Sequence, residues 1–297
     1  MNPLNSAGQA TDVTHAAYRP DSAPLRPQDC LWPEWNVSPR VHAFATTRNG
    51  GVSAGPYAGA NSGGGLNLGL RAGDEPAAVM ENRRRVLELT GAPAAWLQQV
   101  HGADIEDAAS VIDRCGAASP SQNPVQADAS VTNQVGVVCV VMVADCLPVL
   151  LCDAAGRAVG AAHAGWRGLA AGIVEKTAAR VAGLAGAGPE TLHAWLGPAI
   201  GPTAFEVGSD VLEAFASAAD PAQRDQTVAA FVPKADIDNK YLADLYKLAR
   251  LRLASAGVPP RHVQGGTYCT VSDPERFYSY RRDRVTGRMA AMIWLAD

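Results

Sequence analysis

The chain has 297 residues, 47% of them hydrophobic, and a formal net charge of −4. That length supports a sizeable core, as one large domain or as two intimately packed halves. The mild acidity and the lack of a basic block argue against nucleic-acid binding through phosphate neutralisation, and point to no other partner.

Residues 1 to about 28 are rich in Ala, Pro, Asp, Ser and Thr with no hydrophobic period, and read as a flexible tail. They lack the basic and apolar regions of a secretory signal, so a reducing cytoplasm is the expected compartment. Cys30, Cys115, Cys139, Cys146, Cys152 and Cys269 then read as free thiols or ligands rather than disulfides. The folded part is expected to begin at Leu31-Trp32-Pro33. Residues 41–47 predict a strand in which His42 packs. Arg48-Asn49-Gly50-Gly51-Val52-Ser53 predicts a turn dictated by two glycines. Residues 54–69 are too rich in glycine for packed core and predict a functional or disordered loop. Residues 74–89 predict a helix with Met80, Val86 and Leu87 as apolar positions and Arg83, Arg84 and Arg85 facing solvent.

Residues 96–100 predict a strand ending at His101, and residues 113–126 a loop. The apolar run from Val135 to Cys152 approaches membrane-span length. Asp145 and Pro148 interrupt it and Val dominates it, so two buried strands joined by a turn explain it better, with Cys139 and Cys152 in the core. Strands are expected at 129–132, 137–143, 149–152 and 157–163. The last runs into Ala164-Gly165-Trp166-Arg167-Gly168, where a helix should start, with Ile173, Val174, Thr177, Val181 and Leu184 on one side. Its N-terminus would bring free N–H groups and a positive dipole end beside His163. A strand and loop at 195–202, an amphipathic helix at 242–253 and closing strands at 267–270 and 288–295 complete the pattern. Strands outnumber helices without regular alternation, which predicts an α+β architecture.

His101, Cys146 and His163 each sit where a strand-like run meets a small-residue turn. Two imidazoles and a thiolate suit zinc or copper, and three protein ligands leave a fourth position open, as in catalytic sites. Spacing alone does not establish such a site. There is no CxxC pair and no HxxxH helix face, and a buried Cys is commonly a small hydrophobe. Asp145 reads equally as a carboxylate that orients a ligating histidine or carries a proton, and as a cap on the turn before Pro148. Arg48 with the amides freed by Gly50 and Gly51 makes an anion pocket, although taken alone a turn with a surface arginine is the better reading. Arg167 is a second anion candidate of similar weakness. His15 lies in the tail, and His193 and His262 have no motif around them.

Several enzyme classes are discounted. There is no G-x-S-x-G elbow, and Gly63-Gly64-Gly65 is not followed by the end of a phosphate loop. The zinc deaminase signature is missing. Six histidines with no His-x-His pair do not supply a multicopper centre.

Eight segments resemble one family in content and order. They are Thr46-Thr47-Arg48-Asn49-Gly50-Gly51-Val52-Ser53, Gly65-Leu66-Asn67-Leu68-Gly69, Gln99-Val100-His101-Gly102, Ala127-Asp128-Ala129, Ala144-Asp145-Cys146, His163-Ala164-Gly165-Trp166-Arg167-Gly168, Gly197-Pro198-Ala199-Ile200-Gly201 and Phe277-Tyr278-Ser279-Tyr280-Arg281-Arg282-Asp283. Together they resemble the YfiH-like, laccase-domain family, described both as polyphenol oxidases and as purine nucleoside phosphorylases. The resemblance runs from about residue 30 to the C-terminus. It implies an α+β fold of packed mixed β-sheets flanked by helices, similar to the catalytic domain of the cytotoxic necrotizing factor toxins, as a single domain over 29–297. It further implies metal ligation by His101, Cys146 and His163, with zinc or, in its place, copper. Arg48 would contact phosphate, with Arg167 as its companion, and Cys146 and Asp145 would serve the chemistry. The implied activity is phosphorolysis of adenosine, inosine and methylthioadenosine, with some adenosine deamination. The implied partners are purine nucleosides and phosphate, without nucleic acid or membrane, in a monomer or homodimer. Three readings stay beside it: a copper-dependent polyphenol oxidase on the same ligands, a metal-free hydrolase with Cys146 as nucleophile and His163 or His101 as base, and a non-enzymatic binding role.

Overall fold

The computed structural model describes residues 24–116, 124–235 and 237–297. The expected tail therefore lies outside the described residues up to position 23. Packing begins before Leu31, because Leu25 is buried in the cluster that contains Phe44 and Leu66.

Two mixed sheets stack face to face. The five-stranded sheet runs Cys30–Leu31, Val41–Thr46, Met289–Leu295, Val138–Val143, Ala94–Ala95. The six-stranded sheet runs Val263–Gly265, Leu192–Leu196, Leu147–Asp153, Val159–Ala164, Ala129–Thr132, Ile105–Asp107. The Val-rich run explains why both are needed. In Val138–Val143, side chains alternate between faces with a period of two. Cys139 and Val141 turn toward Leu150, Val159 and Ala161 of the other sheet, while Val138 and Val140 turn away toward Leu66, Leu68 and Val86. Both faces are apolar because both are covered.

Helices close the two outer faces. Pro76–Thr90 lies over the five-stranded sheet through Val86. Ile173–Ala185 and Leu245–Ser255 lie over the six-stranded sheet, burying Ile173, Val174, Val181, Leu248 and Leu253. A smaller sheet of Glu206–Gly208, Lys240–Ala243 and Phe231–Pro233 extends that side. The α+β expectation and the two-strand reading of residues 135–152 both hold. No helix among the described residues is long and apolar enough to cross a membrane.

Several local expectations fail for identifiable reasons. The turn expected at 48–53 is largely a strand, Asn49–Ser53, bridged to Gly65. The following stretch is packed, and Leu66 and Leu68 are fully buried. Its glycines permit this by close backbone approach: a Cβ on Gly51 would stand 2.1 Å from the Gly65 carbonyl oxygen. The side chain of Asn82 replaces the missing sheet partners, accepting from Val52 N and donating to Ser53 Oγ, Gly65 O and Asn67 O. Arg83 and Arg85 do not face solvent. They are 4% and 3% exposed, and of the three only Arg84 projects outward. Residues 96–100 and 267–270 are irregular rather than strands. Residues Ala108–Cys115 form a helix where a loop was expected from position 113, and 117–123 lie outside the described residues. The helix after His163 is two helices, Trp166–Ala170 and Ile173–Ala185, broken at Gly172 with φ of 84°.

Candidate metal centre

Two connections carry the chain from the five-stranded sheet to the six-stranded one, and both pass the same rim of the sandwich. Residues 96–104 lead from Ala94–Ala95 to Ile105–Asp107 and carry His101. Residues 144–146 lead from Val138–Val143 directly into Leu147–Asp153 and carry Cys146. His163 reaches the rim from Val159–Ala164, whose register places it opposite Pro148. The topology thus collects three residues from positions 101, 146 and 163 into one group, with donor atoms all within 4.8 Å of one another.

The geometry suits one ion. Cys146 Sγ lies 3.8 Å from His101 Nε2. Donors sharing a tetrahedral zinc stand about 3.5 Å apart, given bond lengths of about 2.0 and 2.3 Å. The imidazoles meet edge to face, with ring centroids 4.8 Å apart. Gly165 is required by this approach, since a Cβ there would stand 3.0 Å from His101 Cδ2 and 3.1 Å from Cys146 Sγ. His163 is buried, Cys146 partly so, and His101 exposed, so the group opens to one side.

Asp128 organises the group. It is fully buried, and its Oδ1 accepts from His163 Nδ1 at 2.7 Å. A carboxylate only accepts, so Nδ1 carries the proton and Nε2 is the free donor for a metal. The same carboxylate accepts from the amides of Val100 (3.1 Å), His101 (2.9 Å) and Gly102 (2.7 Å). These bonds hold His101 at φ of 62°, a left-handed conformation uncommon for a residue with a Cβ. Burial opposes ionisation of Asp128, yet the bond from His163 and the Gly102 and Val100 amides keep its carboxyl below the usual range.

Burial also opposes the Cys146 thiolate. The charge of His163 and hydrogen bonds from His101 and His163 outweigh it and bring the thiol down to about 6. Burial likewise opposes a charge on His163, but the Cys146 thiolate and Asp128 raise it to about 9. Free of metal, the pair is a thiolate and an imidazolium across the neutral range. In chelator-treated protein, alkylation of Cys146 by iodoacetamide should therefore accelerate as pH rises through about 6. It should shift well upward in His163→Ala; a wild-type midpoint of 8 to 9 or about that, the ordinary thiol range, would contradict the pairing.

The other predicted residues lie differently. Both Asp145 oxygens are taken, by Thr270 Oγ1 and by the Arg281 amide, each at 2.6 Å, so this carboxylate fixes the chain beside Cys146 rather than a ligating imidazole. Arg48 does not line the cavity beside the His/Cys group. Its guanidinium donates to Ala58 O and Pro274 O and lies over the Tyr278 ring, tying loops together. Arg167 is exposed on the five-residue helix and stacks on Trp166. His193 and His262 stack on each other at 4.1 Å, away from the group.

A cavity of about 540 Å³ contains His101, Cys146 and His163 in its wall. Trp96, Met142 and Tyr280 supply apolar surface, and Arg71, Arg83 and Arg288 supply charge. Gln99 clamps this wall to the sheet by two bonds to the Met142 backbone, 2.8 and 2.7 Å long. The volume suits a small organic ligand. Reading the sequence alone gave Asp128, Arg83 and Arg288 no role. For Asp128 the available signals are its place in the family-like segment Ala127-Asp128-Ala129 and its charge between two alanines.

Residues 42–296 match a family model described as multi-copper polyphenol oxidoreductase laccase. A protein of Pseudomonas aeruginosa named as a purine nucleoside phosphorylase is 48% identical over 267 residues, covering 90% of this chain and 98% of that one. The Escherichia coli purine nucleoside phosphorylase YfiH is 48% identical over 265 residues, covering 89% and 97%. Among solved structures, a Neisseria meningitidis protein superposes with a TM-score of 0.79 at 45% identity, over 91% of this chain and all of that one. YlmD from Geobacillus stearothermophilus gives the same TM-score at 31% identity, over 92% and 98%.

Proposed function

The chain belongs to the multi-copper polyphenol oxidoreductase laccase family, the YfiH-like group, and from that premise we propose that it is a metal-dependent purine nucleoside phosphorylase. The observation that carries the reading is the convergence of His101, Cys146 and His163 on a cavity with aromatic and cationic walls. Its relatives' names add the reaction class. The proposed substrates are adenosine, inosine and methylthioadenosine.

In the proposed reaction, an oxygen of hydrogen phosphate forms a bond to ribose C1′ as the C1′–N9 bond breaks. The electron pair of that bond leaves with the purine, which takes up the proton phosphate gives up. The products are free base and ribose 1-phosphate, or methylthioribose 1-phosphate. His101, Cys146 and His163 would hold the ion, which when bound supplies Lewis acidity and a fixed positive charge. Trp96, Met142 and Tyr280 offer the purine a flat apolar surface. Asp128 keeps the His163 ring in one orientation and one tautomer throughout. Positioning and charge stabilisation then supply most of the acceleration. Deamination of adenosine to inosine, consuming water and releasing ammonia, is proposed as a side activity of the same cavity.

The donor set favours zinc, with copper as the alternative, because thiolate and imidazole suit both and the reaction needs no redox change. A copper-dependent phenol oxidase is the weaker reading, since six histidines without a His-x-His pair do not build a multicopper cluster. A metal-free Cys/His hydrolase is a second reading, favoured by the low Cys146 thiol beside His163. We further propose a cytoplasmic monomer or homodimer, with residues 29–297 as a single catalytic domain.

Chelation separates these readings. Exhaustive treatment with dipicolinate should abolish release of purine base from inosine and phosphate, and one equivalent of zinc should restore it. Full turnover in metal-free protein would overturn the metal-dependent reading in favour of Cys146 acting as a nucleophile.

A further inference from the structure

The cavity wall carries three guanidiniums, of which Arg71 is exposed while Arg83 and Arg288 are held in place by the fold. Arg83 comes from the helix Pro76–Thr90, with its guanidinium 3.9 Å from the Trp96 ring centroid and Nε donating to Leu68 O at 3.0 Å. Arg288 precedes the last strand. Its Nη1 donates to Thr286 O and Gly287 O, both at 3.0 Å. The two are fastened to the same short segment, because the Leu68 amide donates to Arg288 O and the Arg288 amide donates to Asn67 Oδ1. Gly69 allows the contact, since a Cβ there would stand 2.7 Å from Arg288 Cγ.

Neither charge is matched by a paired carboxylate, although the Cys146 thiolate and Asp145 act on Arg288 through space. Arg84 and Arg85, next along the helix, both pair with Glu81. Among the described residues, neither Arg83 nor Arg288 forms an ion pair with a carboxylate. A guanidinium withdrawn from water without an anion is costly, and cation stacking on Trp96 offsets only part of that cost. Burial lowers Arg83 to about 10, which still leaves it charged at neutral pH. An anion from solution would complement Arg83 and add to the negative charges that already act on Arg288.

We propose that Arg83 and Arg288 form the subsite that binds the attacking phosphate, on the cavity wall shared with His101, Cys146 and His163. This rests on the phosphorolysis reading and moves the phosphate contact away from Arg48 and Arg167. Guanidinium forks match phosphate oxygens in pairs, and two of them suit a dianion. The motif Gly65-Leu66-Asn67-Leu68-Gly69 thereby gains a role, as the backbone that spaces the two arginines.

The test is titration of zinc-loaded protein with inorganic phosphate by calorimetry, in wild type, Arg83→Met, Arg288→Met and Arg84→Ala. Each cavity variant should weaken phosphate binding about 10- to 100-fold, while Arg84→Ala, on the solvent side of the helix, should not. In turnover, KM for phosphate should rise with KM for inosine unchanged, and Arg83→Lys should recover part of the loss. Phosphate affinity untouched in both Arg83→Met and Arg288→Met, with circular dichroism showing both folded, would overturn the proposal, as would a wild type that binds no phosphate. If Arg83→Met does not fold, Arg83→Lys and Arg288→Met decide. Arginine-dependent phosphate binding without release of base would keep the subsite and defeat phosphorolysis. Release of base with phosphate binding indifferent to both arginines would do the reverse.

Discussion

Replacing Cys146 with alanine is expected to lower phosphate-dependent release of purine base at least about 10³-fold while leaving the protein folded. A Lewis acid contributes several kcal/mol to such a step, and each 1.36 kcal/mol or so is a factor of ten. The variant should purify without stoichiometric zinc, because two imidazoles remain where three donors converged. Stability should change little, since Cys146 is only partly buried at a cavity wall. Cys139 and Cys152 are different in kind. Both are fully buried between the sheets, burial pushes both thiols up, and their replacement should affect packing rather than metal. Metal analysis and a product assay on the same preparation check the prediction. A zinc-replete, fully active Cys146→Ala protein would refute it.

Replacing Asp128 with asparagine is expected to weaken zinc affinity about 10- to 100-fold. It should also cost about 3–5 kcal/mol of stability, the range for breaking a buried pair by removing one partner. Asparagine has nearly the same volume but only one accepting oxygen, so its NH2 would face either the His163 N–H and the His101 amide or the amides of Val100 and Gly102. Since the carboxyl is held below its usual range, its stabilisation is complete at neutral pH and is lost as pH falls through the folded-state value. Competition with a zinc chelator measures the first effect, and urea unfolding of metal-free protein the second. Unchanged zinc affinity would show that Asp128 does not orient His163.

What the sequence revealed follows from how local each signal is. The Val-rich strands, the strand before His163 and the final strand were readable because alternation and composition are properties of a few consecutive residues. The set His101, Cys146, His163 was readable as residue types at turns, but only the crossing of the chain between two sheets brings the three together. Arg83 was misread because a run of three arginines on a helix is normally solvated. Its burial depends on Leu68 and Trp96, which are distant in sequence. Residues 48–53 read as a turn and 54–69 as a loop because glycine usually signals a turn. Here Gly51 and Gly65 are small so that two backbones can touch. Arg48 looked like an anion site for the same local reason, and the structure occupies its donors with Ala58 and Pro274 carbonyls. Asp128 stands in a family-like segment, but nothing local in Ala127-Asp128-Ala129 says what its carboxylate does. Its function lies wholly in four donors supplied by two other segments.

The most direct measurement is chromatography of the products formed from inosine by zinc-loaded protein, with and without phosphate. The account predicts hypoxanthine and ribose 1-phosphate in equal amounts with phosphate, and neither without it. Hypoxanthine formed equally in the absence of phosphate, or no base from folded and zinc-loaded protein, would contradict it.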